Sequence, residues 1–238
     1  MKVIDGHAFL GCSMYMSQSP EELIAKMDGL GVSSSVVVAP PPGPFYAKMN
    51  EFVGHAALRF PGRLVPLFRA NPHLEGETER LRAALEEGGF RGVQLDPTND
   101  GYGVGGALME PIAELAGEKG VPVFIHSGDS IFCPPEAVAD FADRFERTNF
   151  VTNYSIRAPR ASKDCGNLYL MTRPFPALAF QRGHAEDFDC DRLIFASDSP
   201  VGSPELELKS VELAHLDPKV GEKILGGNLR RIMNAGRA

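Results

Sequence analysis

Ser19-Pro20-Glu21-Glu22-Leu23-Ile24 opens, and Ser34-Ser35-Val36-Val37-Val38-Ala39 closes, the stretch whose reading decides the fold. Ser19 can cap a helix, Pro20 suits its first position, and Glu22 completes a capping box with Ser19. Leu23, Ile24, Met27 and Leu30 then form one apolar stripe, and Gly29 and Gly31 favour an ending. The run that follows does not alternate apolar and polar residues. A strand of that kind is buried on both faces, which is the signature of a parallel sheet covered by helices.

Working outward, β-type runs recur at Lys2–His7, Arg63–Ala70, Phe90–Leu95, Val121–His126, Asn149–Asn153, Leu168–Thr172 and Arg192–Ala196. Helical stripes lie between them at Phe45–Phe60, Glu77–Glu87, Leu108–Lys119, Glu136–Arg147, Phe175–Ala185 and Pro204–His215, with a last helix from about Lys219 to Met233. Eight strands alternating with eight helices predict an α/β protein, a compact (β/α)8 TIM barrel spanning residues 1–238 as one domain. An open doubly wound sheet is the alternative. No linker or internal repeat divides the chain.

The 238 residues suffice for one large core, and 43% hydrophobic with 23% charged residues is ordinary for a soluble globular protein. A net charge of −7 argues against a nucleic-acid or anionic-membrane partner, which needs a broadly basic face. No apolar run reaches the length of a membrane span, and a strand begins at once after Met1, so a cytoplasmic protein is expected. Cys12, Cys133, Cys165 and Cys190 lie far apart with no Cys-x-x-Cys pair, which suits reduced thiols. Pro40-Pro41-Pro42-Gly43-Pro44 reads as a stiff strand-to-helix loop. Gly101-Tyr102-Gly103-Val104-Gly105-Gly106 fits a dinucleotide fingerprint by pattern, but Pro97-Thr98-Asn99-Asp100 separates it from its strand; a loop over the barrel mouth is the better reading.

In a barrel of this kind function sits at the carboxyl ends of the strands. Three strings close there on groups that bind metals or move protons: Ile4-Asp5-Gly6-His7, Phe124-Ile125-His126-Ser127-Gly128 and Phe195-Ala196-Ser197-Asp198-Ser199-Pro200. Asp5 and His7, two apart on a strand, share a face. Taken alone, Asp5 reads as well as a turn cap, and His7 or His126 as a satisfied core histidine. Asp198 is five residues short of the next helix, where Ser203 is the better cap. Together Asp5, His7, His126 and Asp198 form a carboxylate/imidazole set suited to one divalent metal, zinc first and manganese or iron next. Such an ion would activate a water, with Asp198 and His126 as the catalytic pair.

These strings, with Arg59-Phe60-Pro61-Gly62-Arg63-Leu64, Gly89-Phe90-Arg91-Gly92-Val93-Gln94-Leu95 and Ile224-Leu225-Gly226-Gly227-Asn228, resemble the metal-dependent amidohydrolase superfamily. The resemblance is to the branch of amidohydrolase-2-type hydrolases and aminocarboxymuconate- or resorcylate-type decarboxylases, and it covers nearly the whole chain. It implies the barrel and a mononuclear site with ligands from the first, fifth and last strands. Three departures stand out. Phe9 occupies the second place of the usual His-x-His, although Asp5-Gly6-His7-Ala8-Phe9 is similar to an acid-x-His pair in some decarboxylase-like members. The sixth strand ends in Thr152-Asn153-Tyr154-Ser155 with no histidine. Gln94 stands where some members carry a bridging lysine.

Arg69, Arg157, Arg160, Lys163 and Arg173 fall just beyond strand ends, and an arginine fork pairs well with a carboxylate. Arg69, Arg157 and Arg173, with Gln94 and Tyr154 as polar neighbours, are therefore the expected substrate-binding residues for a small anionic molecule. The expected activity is metal-dependent hydrolysis of a C–N or C–O bond next to a carbonyl. A decarboxylase of the same fold, or a barrel that only binds, is the alternative. Homo-oligomerisation is left open.

Overall fold

The computed structural model describes residues 2–41, 46–126, 130–173 and 189–234. β1 (Val3–Phe9) leads into a small hairpin, β2 (Gly11–Cys12) and β3 (Ser17–Gln18), and then α1 (Pro20–Leu30) and β4 (Val32–Val38). There follow α2 (Tyr46–Arg59), β5 (Leu64–Pro66), β6 (Phe68–Arg69), α3 (Glu77–Glu86), β7 (Val93–Leu95), α4 (Pro97–Asp100), α5 (Glu110–Lys119) and β8 (Val123–Ile125). The chain continues with α6 (Pro135–Asp143), β9 (Phe150–Thr152), α7 (Ala158–Ala161), β10 (Leu168–Met171) and β11 (Leu193–Ile194). It ends with α8 (Pro204–Leu213), α9 (Pro218–Glu222) and α10 (Asn228–Asn234). The expected helix Phe175–Ala185 lies outside the described residues. Among the described residues, no helix is long and apolar enough to cross a membrane.

All pairings except the β2/β3 hairpin are parallel: β1-β4-β5 form one run and β6-β7-β8-β9-β10-β11 the other. Backbone hydrogen bonds join the two runs at both seams. Leu67 N donates to Val37 O at 2.8 Å, while Arg91 N donates to Pro66 O at 2.9 Å, so β5 and β6 are one strand kinked at Leu67. At the other seam Gly6 N donates to Phe195 O at 2.8 Å, Asp198 N to His7 O at 2.9 Å and Phe9 N to Ser199 O at 2.7 Å. The eight-strand ring thus closes between the first and last strands.

Side-chain parity separates two layers of core. Phe9, Val36, Val38, Leu67, Phe124, Val151, Tyr169, Met171, Ile194 and Ala196 form one buried cluster inside the ring, joined by Leu229 and Ile232 of α10. Their strand neighbours Val37, Phe68, Val93, Ile125, Phe150 and Leu193 pack outward against the helices. In the same inward-facing register, seven of the eight strands, β4 being the exception, present a polar side chain near the carboxyl end: His7, Arg69, Gln94 and Asp96, His126, Asn153, Arg173 and Asp198. That register carries the site. The Ser19/Glu22 capping box forms as expected, and so does the Ser203 cap of α8.

Candidate active site

The centre of the cluster is His7, which is fully buried. Its Nε2 lies 2.6 Å from Gln94 Oε1 in a hydrogen bond, and its Nδ1 lies 2.6 Å from Asp198 Oδ1. Neither atom of the second contact has a hydrogen-bond partner, so it is a close approach of two buried polar atoms and not a well-aligned hydrogen bond. Phe9 sets its ring edge-on to both imidazoles, 4.8 Å from His7 and 5.5 Å from His126.

Asp198 follows the last strand with φ 52°, a left-handed conformation that non-glycine residues adopt at a cost and that recurs at functional sites. Arg173 Nε stands 3.8 Å from its Oδ2, and Asn153 Nδ2 donates to the same oxygen at 3.4 Å. Burial pushes the Asp198 carboxyl up, but His7, His126 and Arg173 outweigh it and hold it below the ordinary carboxylate range. Arg173 in turn faces Glu207 of α8 at 3.8 Å. Gly202 makes room for this arginine: a Cβ there would fall 2.5 Å from Arg173 Nη1 and 2.1 Å from Ser197 O.

On the opposite side, Asp96 accepts from Arg69 Nη1 at 3.0 Å and from Asn99 Nδ2 at 2.9 Å, and lies 3.7 Å from His126 Nδ1. Burial raises the Asp96 carboxyl, yet His126 and Arg69 drive it far below its usual value. Burial pulls His126 down, but the same pairing outweighs it, raising the imidazole above its ordinary value and favouring the imidazolium. The His126 side chain is 23% exposed, whereas Asp96 is 0% exposed; the imidazole is the member of this pair that meets the mouth.

The sequence-derived residues are thus distributed unevenly. His7, His126, Asp198, Gln94 and Arg173 come together. Asp5 does not open onto the mouth: Ser197 N and Oγ donate to it at 2.8 and 2.6 Å and His7 N at 3.2 Å, tying β1 to the last strand. Burial pushes its pKa up to about 6 against those bonds. Arg69 is 0% exposed and committed to Asp96 and to Asp100, 3.3 Å away. Arg157 is exposed, with Nη1 3.1 Å from both Glu136 oxygens. Tyr154 packs outward with Leu170, Phe195 and Val211. Asp96 and Asn153 are the members that sequence reasoning passed over. Asp96 follows Gln94 by two residues and precedes Pro97, so the face-sharing argument applied to Asp5 and His7 finds it as well.

The donor set does not fit the four-ligand metal centre expected from the sequence. Asp5 is turned to the seam, where its carboxylate accepts three hydrogen bonds from Ser197 and His7. Two ligands at tetrahedral positions on one ion would stand about 3.4 Å apart, against the 2.6 Å between His7 Nδ1 and Asp198 Oδ1. Among the described residues, no group of three or more His, Cys, Asp or Glu side chains is arranged to hold a metal.

Fold and site together define a (β/α)8-barrel enzyme with an acid–base cluster at the carboxyl mouth. The sequence matches the Amidohydro_2 family, described as amidohydrolase, over residues 11–234, and the chain belongs to that family of enzymes. The match begins two residues after Phe9, so the first-strand string lies outside it. No curated protein sequence matches the chain. Among solved structures, an uncharacterised TIM-barrel protein from Bordetella bronchiseptica is similar with a TM-score of 0.80 at 18% identity, covering 100% of both chains. A 5-carboxyvanillate decarboxylase from Novosphingobium aromaticivorans, complexed with manganese and 4-hydroxy-3-methoxy-5-nitrobenzoic acid, gives 0.77 at 12% identity over 98% of this chain and 96% of that one. A probable 2-pyrone-4,6-dicarboxylic acid hydrolase from Acinetobacter baumannii, with citric acid bound, gives 0.72 at 17% identity over 98% and 100%.

Proposed function

We propose that the chain is a decarboxylase of a small aromatic or conjugated carboxylate. The observation that carries this reading is the electrostatic asymmetry of the mouth. His126 is held toward its protonated form by Asp96, whereas Asp198 is held ionised by His7 and Arg173. A carboxylate kept below its ordinary range is a poor base for water, but a raised, partly exposed histidine is a competent acid. The site is better suited to begin with protonation than with deprotonation. In this reading Arg173 pairs with the substrate carboxylate. The ring nitrogen of His126 opposite Nδ1 gives its proton to the carbon bearing that group. The C–C bond breaks, its electron pair ends in the new C–H bond, CO2 leaves, and solvent reprotonates the imidazole.

Hydrolysis is the second reading, favoured by Asp198 at the strand end and by the similarity to a probable hydrolase. There Asp198 would take a proton from water and His126 would protonate the leaving group. A zinc centre, which the sequence pattern suggests, would have to draw Asp5 away from Ser197, and neither route draws on one. A panel of hydroxybenzoates and small lactone or amide carboxylates, read for CO2 release and for acid release, separates the two. CO2 release lowered about 100-fold or more in His126→Asn supports decarboxylation. Acid release without CO2 overturns it in favour of hydrolysis. Saturable ligand binding with no turnover of any compound overturns both in favour of a binding barrel.

A further inference from the structure

We infer that this chain performs its chemistry without a resident metal ion, because Phe9 and Gln94 close the seat that such an ion would take. The inference concerns the mouth described above but rests on its donor atoms and not on the reaction proposed there. An ion held between the first, fifth and last strands needs at least three protein lone pairs, each about 2.1 Å from it. The first strand offers three inward positions. Asp5 accepts three hydrogen bonds, two from Ser197 and one from the His7 amide, which hold its carboxylate against the last strand. His7 spends Nε2 on Gln94. Phe9, 2% exposed, brings only ring carbons.

The Gln94 contact closes Nε2 in either orientation of the carboxamide. With Oε1 facing the ring, Nε2 carries a proton; with the amide turned over, its lone pair accepts one. Neither leaves an electron pair for a cation. The other amide atom of Gln94 is buried without a hydrogen-bond partner among the described residues, a polar position beside His7 that a substrate oxygen or a water can satisfy. Phe9 completes the closure. Its ring stands perpendicular to the stacked imidazoles of His7 and His126, 4.8 and 5.5 Å from their centroids, and fills with carbon the place beside them where a second first-strand donor would stand. His7 Nδ1 keeps a lone pair but stands 2.6 Å from Asp198 Oδ1, closer than two ligands of one ion, so the two compete for one place. With His126 that makes two ligands, and two do not make a catalytic centre.

The test is metal content of the whole chain, purified without chelators from medium supplemented with zinc, manganese and iron, together with thermal midpoints in EDTA and in each metal. Less than about 0.1 metal per chain and midpoints that do not move are expected. Close to one metal per chain, lost in Asp198→Asn, would overturn the inference. Phe9→His supplies the missing donor, and with Gln94→Ala it frees His7 Nε2. Gain of zinc binding and a raised midpoint in either the single or the double variant is expected; no gain in both would show that these two side chains are not what closes the seat. Because metal content needs no substrate, a metal-bearing chain would sink this inference while leaving the acid–base reading to be judged by turnover.

Discussion

Arg69 is the largest fully buried side chain among the described residues, and it lies at the end of β6 in register with Gln94. Its guanidinium joins Asp96 and Asp100, and its backbone is clamped by Asn50, whose Nδ2 donates to Arg69 O and whose Oδ1 accepts from Arg69 N, both at 2.9 Å. An arginine so placed fixes the site's own carboxylates instead of reading a substrate. Removing one partner of a buried ion cluster leaves uncompensated charge. Arg69→Met, which keeps most of the volume, is therefore expected to cost about 3–5 kcal/mol in chemical denaturation. Arg157→Ala removes only an exposed pair with Glu136 and should change stability by about 1 kcal/mol or less. Equal, small losses in the two would mean that the Arg69 cluster does not hold the mouth together.

At the scale of elements, the seam between β1 and the last strand is where fold and site become one object. Gly6 lies against Phe195 so closely that a Cβ would stand 2.5 Å from Ile194 Cγ2 and 2.8 Å from Phe195 O. Gly6→Ala must push β1 away, lengthening the closing Gly6 N to Phe195 O bond and loosening the Asp5–Ser197 tie. A loss of about 1–3 kcal/mol is expected from denaturant unfolding, beside about 1 kcal/mol for Ser19→Ala, which removes one local cap. If Gly6→Ala costs no more than Ser19→Ala, the seam is not tightly packed. The Ser19 box was legible in the sequence because capping is local. What was not legible depends on distant partners. α6 stops at Asp143, four residues before Arg147, because Asn167 Nδ2 takes the carbonyls of Ala142, Phe145 and Thr148. The last helix divides at Lys223–Gly227, where Ile224 O accepts from Phe195 N and Asn228 Nδ2 donates to Cys190 O and Leu193 O. The same limit applies to the site. Strand-end position brought out His126 and Asp198, but the commitment of Arg69 to Asp96 follows from the β6/β7 register, which no local pattern encodes.

For the whole molecule, the buried ionisable groups set a stability profile with a definite sign. Burial pushes Asp5 up to about 6 and Glu207 up to about 7. A carboxyl raised in the fold stays protonated there while the unfolded chain ionises, so stability is lost as pH rises from about 4 through those folded values. His126, raised by Asp96, acts in the same direction: its contribution is present below its unfolded value and disappears as pH climbs through the folded one. Asp96 and Asp198, lowered by their cations, act oppositely, since their contribution exists above the unfolded carboxylate value and is lost only in acid. The two sets meet in mildly acidic solution. The thermal midpoint is expected to peak near about pH 5 and to decline toward pH 8 by the equivalent of about 1–3 kcal/mol. Asp5→Asn keeps a hydrogen-bonding amide against Ser197, and Glu207→Gln keeps one beside Arg173, so each should flatten the alkaline side of the profile and leave the acid side unchanged. A wild-type midpoint that climbs steadily from pH 5 to pH 8 would show that the lowered carboxylates alone govern the molecule, and that the burial of Asp5 and Glu207 carries no cost.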